Sequence, residues 1–533
     1  MSDARYDAVK LGNGEGHDES EAIEKVTELK NDKTREIPGL KSTGNRRRNK
    51  VGLIPVRYQL ALLSFIGLTC IGAMRQNMSV AMVAMVNTTY TGYKHTDDLV
   101  KSNEEVSSCK VRDNNTEYAD ETSGEFFWNT HTQELLLAGF FYGYLCTQIP
   151  GGWMSDRFGM KWVLGLGILL SSVSSILGPW AARMGPVFFF ITRFLAGLGE
   201  GVVLPAVASM WSHWAHPYER SRLGVTTTSG LTFGSIISSI VGGYLVRSDI
   251  MGGWPFLFYV LGTVGCIWFV LWCVFVSSQP SDHRWISRQE WEYLENNLKM
   301  QSKKSNKSIP WLSILSSPVV WVLMLCQLIQ GWGLFTIVTN LPLYYTKGLG
   351  LSVEQAGVYS ATPYALQLIC NFVSAFVADV ILSRKYLGLS HTRKLITATS
   401  FGGCAVFLAC AGFARCNTIA SVTLMTLSVG INGAAYSGYY VSMIDVAGSY
   451  AGSVTALANG AGGLGGVIGP LVVGELTEVQ SDIFGWQSVL WILASLYSIA
   501  ALVYTLVASS KLQPWARTTE FDRNGSMIHH EDL

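Results

Sequence analysis

Gly152-Trp-Met-Ser-Asp156-Arg157-Phe-Gly159-Met-Lys161 is a short charged turn, bounded by glycines, between two long apolar runs at 133–153 and 161–182. A bilayer core about 30 Å thick is crossed by roughly 20 apolar residues in a helix. Each flanking run has that length, so the stretch reads as a tight turn at a membrane surface joining two spanning helices. Ten further runs of the same kind lie on either side, at 58–86, 187–210, 224–247, 254–276, 319–345, 355–382, 394–414, 417–441, 450–474 and 486–509. The composition agrees. The 533 residues are 49% hydrophobic and 14% charged, against about 25% charged in soluble domains. The reading is an all-α membrane protein with twelve transmembrane helices, with the lipid bilayer as its solvent.

Charge distribution orients the helices, because cytoplasmic loops carry the excess of Lys and Arg. Arg46, Arg47, Arg48, Lys50 and Arg57 precede the first helix; Arg157 and Lys161 follow the second; Arg220 and Arg222 follow the fourth; Arg284, Arg288 and four lysines lie after the sixth; Arg384 and Lys385 follow the eighth. All fall on one side of a twelve-helix count, which places both termini in the cytoplasm. The expected organisation is a disordered tail over 1–54, a six-helix bundle over 55–276, a basic linker over 277–318, a second bundle over 319–510 and a tail over 511–533. The acidic loop 87–132 lies on the other side, with glycosylation acceptors at Asn87 and Asn114. The halves echo each other. Gly230, Gly234 and Gly242 in the fifth run match Gly462, Gly466 and Gly474 in the eleventh, spaced four then eight, and an internal repeat of this kind marks transporters.

Charges inside the membrane are costly and tend to be functional. Arg75 sits in the middle of the first run, and Arg193 and Glu200 share a face of the fourth, about 10 Å apart at 1.5 Å rise per residue. Arginines clamp carboxylates through paired hydrogen bonds, and a buried glutamate can take and release a proton. These three residues fit proton-coupled transport of an anion. The competing reading makes each of them half of a structural ion pair. Tyr142 and Tyr144 could line a pocket through their hydroxyls. No nucleophile–base pair, phosphate loop or metal cluster appears in the sequence, so no enzyme activity and no cofactor beyond a co-transported H+ or Na+ is expected, and the net charge of +1 gives no argument for nucleic acid.

The turn at 152–161 resembles the loop 2–3 signature of the major facilitator superfamily, in which Gly152, Asp156, Arg157, Gly159 and Lys161 would gate the transport cycle. Phe140-Phe-Tyr-Gly-Tyr-Leu-Cys-Thr-Gln-Ile-Pro-Gly-Gly152, Gly197-Leu-Gly-Glu-Gly-Val202, Met210-Trp-Ser-His-Trp214 and Asp445-Val-Ala-Gly-Ser-Tyr-Ala-Gly452 narrow this. They resemble the anion:cation symporter family, which includes sialin, the vesicular glutamate transporters and the sodium/phosphate cotransporters. The resemblance implies two six-helix pseudo-repeats working by alternating access, in a lysosomal, vesicular or plasma membrane. It implies that Arg75 and Arg193 face the substrate, that Glu200 couples, and that Asn459 lies near the substrate cavity. The chain departs from its relatives at Ala196, where sialin has a second glutamate, at Ala208 and Leu137, where histidines stand in the family, and at Gln330, where the glutamate transporters have arginine. These departures argue against vesicular glutamate transport. The expected function is cation-coupled symport of a small organic anion such as an acidic sugar. The alternatives are a sodium-coupled phosphate cotransporter and, from another class, a non-transporting receptor on a transporter scaffold.

Overall fold

The computed structural model describes residues 55–86, 124–215, 217–248, 252–294, 309–479 and 483–516, with two short strand pieces at 520–521 and 527–528. Asn87, Asn114 and the tail 1–54 lie outside the described residues. Twelve long helices fall on the twelve predicted runs: α1 Val56–Met85, α2 Thr130–Phe158, α3 Met160–Met184, α4 Pro186–Trp214, α5 Pro217–Arg247, α6 Trp254–Phe275, α7 Pro318–Leu343, α8 Val353–Ser383, α9 Leu389–Phe413, α10 Thr418–Ala447, α11 Ala451–Val479 and α12 Ile483–Val507. The narrow gap between α9 and α10 holds because Asn417 caps α10, its side chain accepting the Ala420 N–H at 3.1 Å. Cys416 in that gap is disulfide-bonded. Among the described residues, eleven of the helices are apolar enough to cross a membrane on composition alone. The exception is α2, whose Gln133, Glu134 and Gln148 are buried inside the protein rather than turned to lipid.

Within each half the same helices pair. α5 packs on α1 and α11 packs on α7. A side chain at Gly230 or Gly234 would run into the α1 carbonyls of Phe65 and Thr69, so the glycines let the backbones touch. In the second half the echo is partial. Gly462 and Gly465 seat α11 against Gln327, Leu328 and Trp332 of α7, whereas Gly466 and Gly474 turn toward Phe141 and Glu134 of the first bundle.

The bundles α1–α6 and α7–α12 meet at one end of the molecule. Ser79 Oγ donates to the Val338 carbonyl at 2.8 Å, and a side chain at Gly243 would lie 3.3 Å from Gly357 Cα. Toward the other end, Gly460 and Gly452 of α11 face open space. That open end carries the basic turns, Arg157 and Lys161 among them.

The turn at 152–161 is built as its residues require, with one change. Gly159 adopts φ +86°, a conformation glycine takes without strain, and its N–H closes α2 on the Ser155 carbonyl at 3.0 Å. Lys161 Nζ donates to the Cys273 carbonyl at 2.8 Å, and the Trp272 indole donates to the Lys161 carbonyl at 2.8 Å. The close approach comes from Gly151, whose added Cβ would sit 2.9 Å from Val202 Cα; Gly152 has only Pro205 at 4.0 Å. Arg157 is exposed, and the Asp156 side chain lies outside what is described.

The two chain segments beyond the bundles are anchored. Glu290 of the linker caps α1, accepting the Val56 N–H at 2.9 Å and the Arg57 N–H at 3.1 Å, which the side chain of Pro55 cannot do. Residues 511–516, placed in the C-terminal tail from the sequence, pack back on α10: the Gln513 N–H donates to the Val446 carbonyl at 3.0 Å, and Ala516 is buried.

His283 in the linker sits under Trp214, its Nε2 3.0 Å from the Phe275 carbonyl and its Nδ1 accepting the Trp285 N–H. Burial lowers its pKa below the usual histidine range. The unfolded chain therefore binds a proton that the folded chain refuses, and stability falls as pH drops below about 6.5. The melting temperature of purified protein is expected to decline between pH 7 and pH 5 more steeply in the wild type than in His283→Asn. Equal slopes would remove His283 as the cause.

Candidate functional site

Three glycines bring α2 and α4 into backbone contact. A side chain at Gly143 would strike the Phe194 carbonyl, one at Gly197 the Phe140 carbonyl, and one at Gly201 the Tyr144 carbonyl; Gly199 faces Gly167 and Ser171 of α3 in the same way. With Gly197, Gly199 and Gly201 committed to α2 and α3, the intervening Glu200 points to α1. The helix also breaks there: α4 runs Pro186–Gly201, turns at Val202 and resumes at Val203. On α1, Gly72 seats against the Leu231 carbonyl of α5, which holds the next turn, and Arg75 with it, at fixed depth.

Arg75 and Glu200 meet across this packing. Arg75 Nη2 donates to Glu200 Oε2 at 2.8 Å and Nε donates to the same oxygen at 3.1 Å. The Glu200 side chain is 2% exposed and that of Arg75 15%. The Arg75 guanidinium also lies 5.2 Å from the Phe140 ring and 5.6 Å from the rings of Tyr144 and Phe335, close enough for cation–π attraction. Phe335 comes from α7 and lies tilted against Phe141, ring centroids 4.6 Å apart, so the ion pair lies against aromatic rings from both bundles.

Arg193 lies two turns before Glu200 on α4. It is 7% exposed, its Nε has no hydrogen-bond partner, and no acid stands within ion-pair distance of it among the described residues. Its guanidinium sits 5.6 Å from the Phe140 ring. Arg193 and Glu200 border the same small cavity, with Ser171, Ser175, Thr192 and Ala196.

The structure therefore gathers Arg75, Arg193 and Glu200, as the sequence suggested, and it pairs Glu200 with Arg75 rather than with Arg193. Tyr142 is not part of the cluster: it turns to Phe190, ring centroids 6.2 Å apart, while Tyr144, about half a turn away, faces Arg75. Asn459 belongs to a polar network in the second bundle. Its Oδ1 accepts from Gln327 Nε2 at 3.1 Å, and the Tyr439 hydroxyl donates to Gln327 Oε1 at 2.6 Å. Gln330 forms a reciprocal amide pair with Asn432, at 2.6 and 3.1 Å. The sequence reading missed Phe335 and Gln327. Each is an ordinary residue in an apolar run, and only the packing of the two bundles brings it to Arg75 or Asn459.

A sequence profile of the Major Facilitator Superfamily matches residues 64–470. Human sialin is 34% identical over 461 residues, covering 86% of this chain and 90% of sialin. A Drosophila ananassae protein named "Putative inorganic phosphate cotransporter" is 34% identical over 467 residues, covering 87% of this chain and 95% of its own. Among solved structures, a D-xylose-proton symporter superposes with a TM-score of 0.64 at 16% identity, over 86% of this chain and 99% of that one, a likeness of fold. The protein is a multi-pass membrane transporter and not an enzyme. It belongs to the Major Facilitator Superfamily and, within it, to the anion:cation symporter family that holds the sialins and the phosphate cotransporters.

Removing one partner of a buried ion pair costs about 3–5 kcal/mol, because the other charge stays buried alone. Arg75→Met is therefore expected to destabilise the purified protein strongly, and Arg75→Met with Glu200→Gln to recover most of the loss. Denaturant or thermal unfolding in detergent measures both. A double variant as unstable as Arg75→Met would show that the cost lies in packing and not in the stranded carboxylate.

Proposed function

We propose that the protein carries a small organic anion, an acidic sugar or another carboxylate, in symport with a proton. The observation that carries this is Arg193, a buried guanidinium beside a cavity, with no acid within ion-pair distance among the described residues. Burial of a charge without a direct partner is costly, and an incoming carboxylate relieves it through paired hydrogen bonds. Arg75 offers a second guanidinium, already occupied by Glu200. A proton on Glu200 weakens that pair and frees Arg75 for the substrate, while a substrate anion drawing Arg75 away favours the protonated acid. Binding of proton and anion is then coupled with the same sign in both directions. Substrate leaving an acidic compartment and anion uptake at the plasma membrane both fit this scheme.

Sodium-coupled phosphate transport is the second reading, supported by the Drosophila ananassae relative and by guanidinium groups that suit phosphate as well as carboxylate. Uptake into proteoliposomes of sialate, hexuronates, glutamate, urate and phosphate, under an imposed pH gradient and separately a sodium gradient, divides the readings. Proton-driven uptake of a carboxylate is expected; sodium-driven uptake of phosphate would replace the first reading with the second, and no uptake under either gradient would defeat both.

Two variants dissect the site. Glu200→Gln is expected to abolish the response to a pH gradient while retaining exchange of substrate across the membrane; an unaltered pH response would take Glu200 out of the coupling role. Arg193→Ala should weaken anion binding by at least about 2 kcal/mol, the lower bound for truncating one member of a buried charge pair, and direct binding measurements would show wild-type affinity if the arginine is structural.

A further inference from the structure

A second acid is buried between the bundles, away from Arg75. Glu134, in the second turn of α2, is 1% exposed, and neither of its carboxylate oxygens accepts a hydrogen bond among the described residues. It projects onto the second bundle. A side chain at Gly474 of α11 would lie 3.1 Å from Glu134 Cγ, so the glycine leaves room for the acid. From α7, the Asn340 amide lies beside it and Lys347 brings a positive charge toward it. Lys347 belongs to the π-helical turn Tyr344–Gly348 that extends α7. It reaches back to α2 from an exposed position, donating from Nζ to Gln133 Oε1 at 3.1 Å. The Asn340 amide is satisfied by Thr339 at 3.0 Å, leaving its Oδ1 without a partner.

A carboxylate buried without hydrogen bonds is kept only where something repays its desolvation, and the charge that faces Glu134 comes from the opposite bundle. The π-turn, a deviation that recurs at functional positions, is what aims Lys347 across the seam. Alternating access requires this seam to part. Parting returns Glu134 to water and removes it from Lys347, so the closed arrangement alone benefits from their attraction.

We propose that Glu134 and Lys347 form an electrostatic latch between the two bundles, which holds the gate shut at the end opposite the 152–161 turn. The latch rests on the alternating-access fold and not on the identity of the substrate, so a failed uptake assay leaves it standing.

The test is a double-mutant cycle read by thiol accessibility. Val338→Cys places a reporter at a position 6% exposed in the closed seam, next to Ser79. Labelling of the full-length protein in lipid nanodiscs with a membrane-impermeant maleimide is compared with that of protein lacking the reporter. Glu134→Gln and Lys347→Gln should each speed labelling about tenfold, equivalent to about 1.4 kcal/mol in the gate equilibrium. The double variant should also be about tenfold faster, since the latch is already broken by either change. Wild-type rates in the single variants, or independent effects that multiply to about a hundredfold in the double, would overturn the latch. Lys347→Arg, which keeps the charge, should label slowly. Fast labelling there would mean that shape and not charge closes the seam, and this arm decides the matter if a glutamine variant does not fold.

Discussion

The ion pair between Arg75 and Glu200 is the constraint around which the first bundle is arranged. In a hydrocarbon environment neither charge can be left alone, and neither can retreat to water from the middle of its helix. The pair exists because α1 and α4 are held at the right depth and separation by helices that touch through glycine. A methyl group at Gly143, Gly197 or Gly201 would push α2 from α4, and the carboxylate that now reaches Arg75 at 2.8 Å would move with it. Close packing by small residues and satisfaction of buried charge are therefore one device here: the first sets the distance that the second needs.

The same logic separates the roles of the two arginines. Arg75 has its counter-charge, a lid of aromatic rings, and one face toward the second bundle. Arg193 has a cavity and, among the described residues, no acid within ion-pair distance. A symmetrical pair of substrate-binding arginines, the sequence expectation, becomes an unequal pair in space. One is engaged until the acid is neutralised and the other stands ready, which gives a sequence of events without any further moving part. Ala196 lines the cavity beside Arg193, and its small apolar side chain adds no further charge there.

The fold was legible because lipid imposes a simple rule on composition. Runs of about 20 apolar residues have few alternatives to spanning, and each of the twelve predicted runs became a helix. The helix ends were harder: they depend on caps such as Asn417 and on charged turns outside the hydrocarbon. At the site, intramembrane charge marked Arg75, Arg193 and Glu200, since nothing else explains such residues in such runs. Aromatic and amide residues carry no such mark. Tyr142 and Tyr144 are indistinguishable by type and neighbourhood, and only the direction each takes from α2 separates a lipid-side contact with Phe190 from a contact with Arg75. Glu134 was overlooked for a different reason. It lies at the edge of its apolar run, where an acid reads as the start of a helix in water, and only the packing of the two halves sets it against Gly474 and α7.

That last point bears on how the two halves divide the work. Contacts within a bundle rest largely on backbone packed through glycine and on buried apolar groups, with the Arg75–Glu200 pair and the Gln330–Asn432 amides set among them. Contacts between bundles include one hydroxyl–carbonyl bond, one glycine pair, one aromatic contact and the charges of α2 and α7. Apolar and backbone contacts of this size are lost gradually as two surfaces separate. A charge facing an opposite charge at low dielectric loses its partner and gains water over a few ångströms, so it gives the seam a steep response to small displacements. An interface that must be firm when closed and still open on demand needs such a term. In this chain the polar helix α2, which composition alone would have ranked as the poorest membrane span, is the one that carries it.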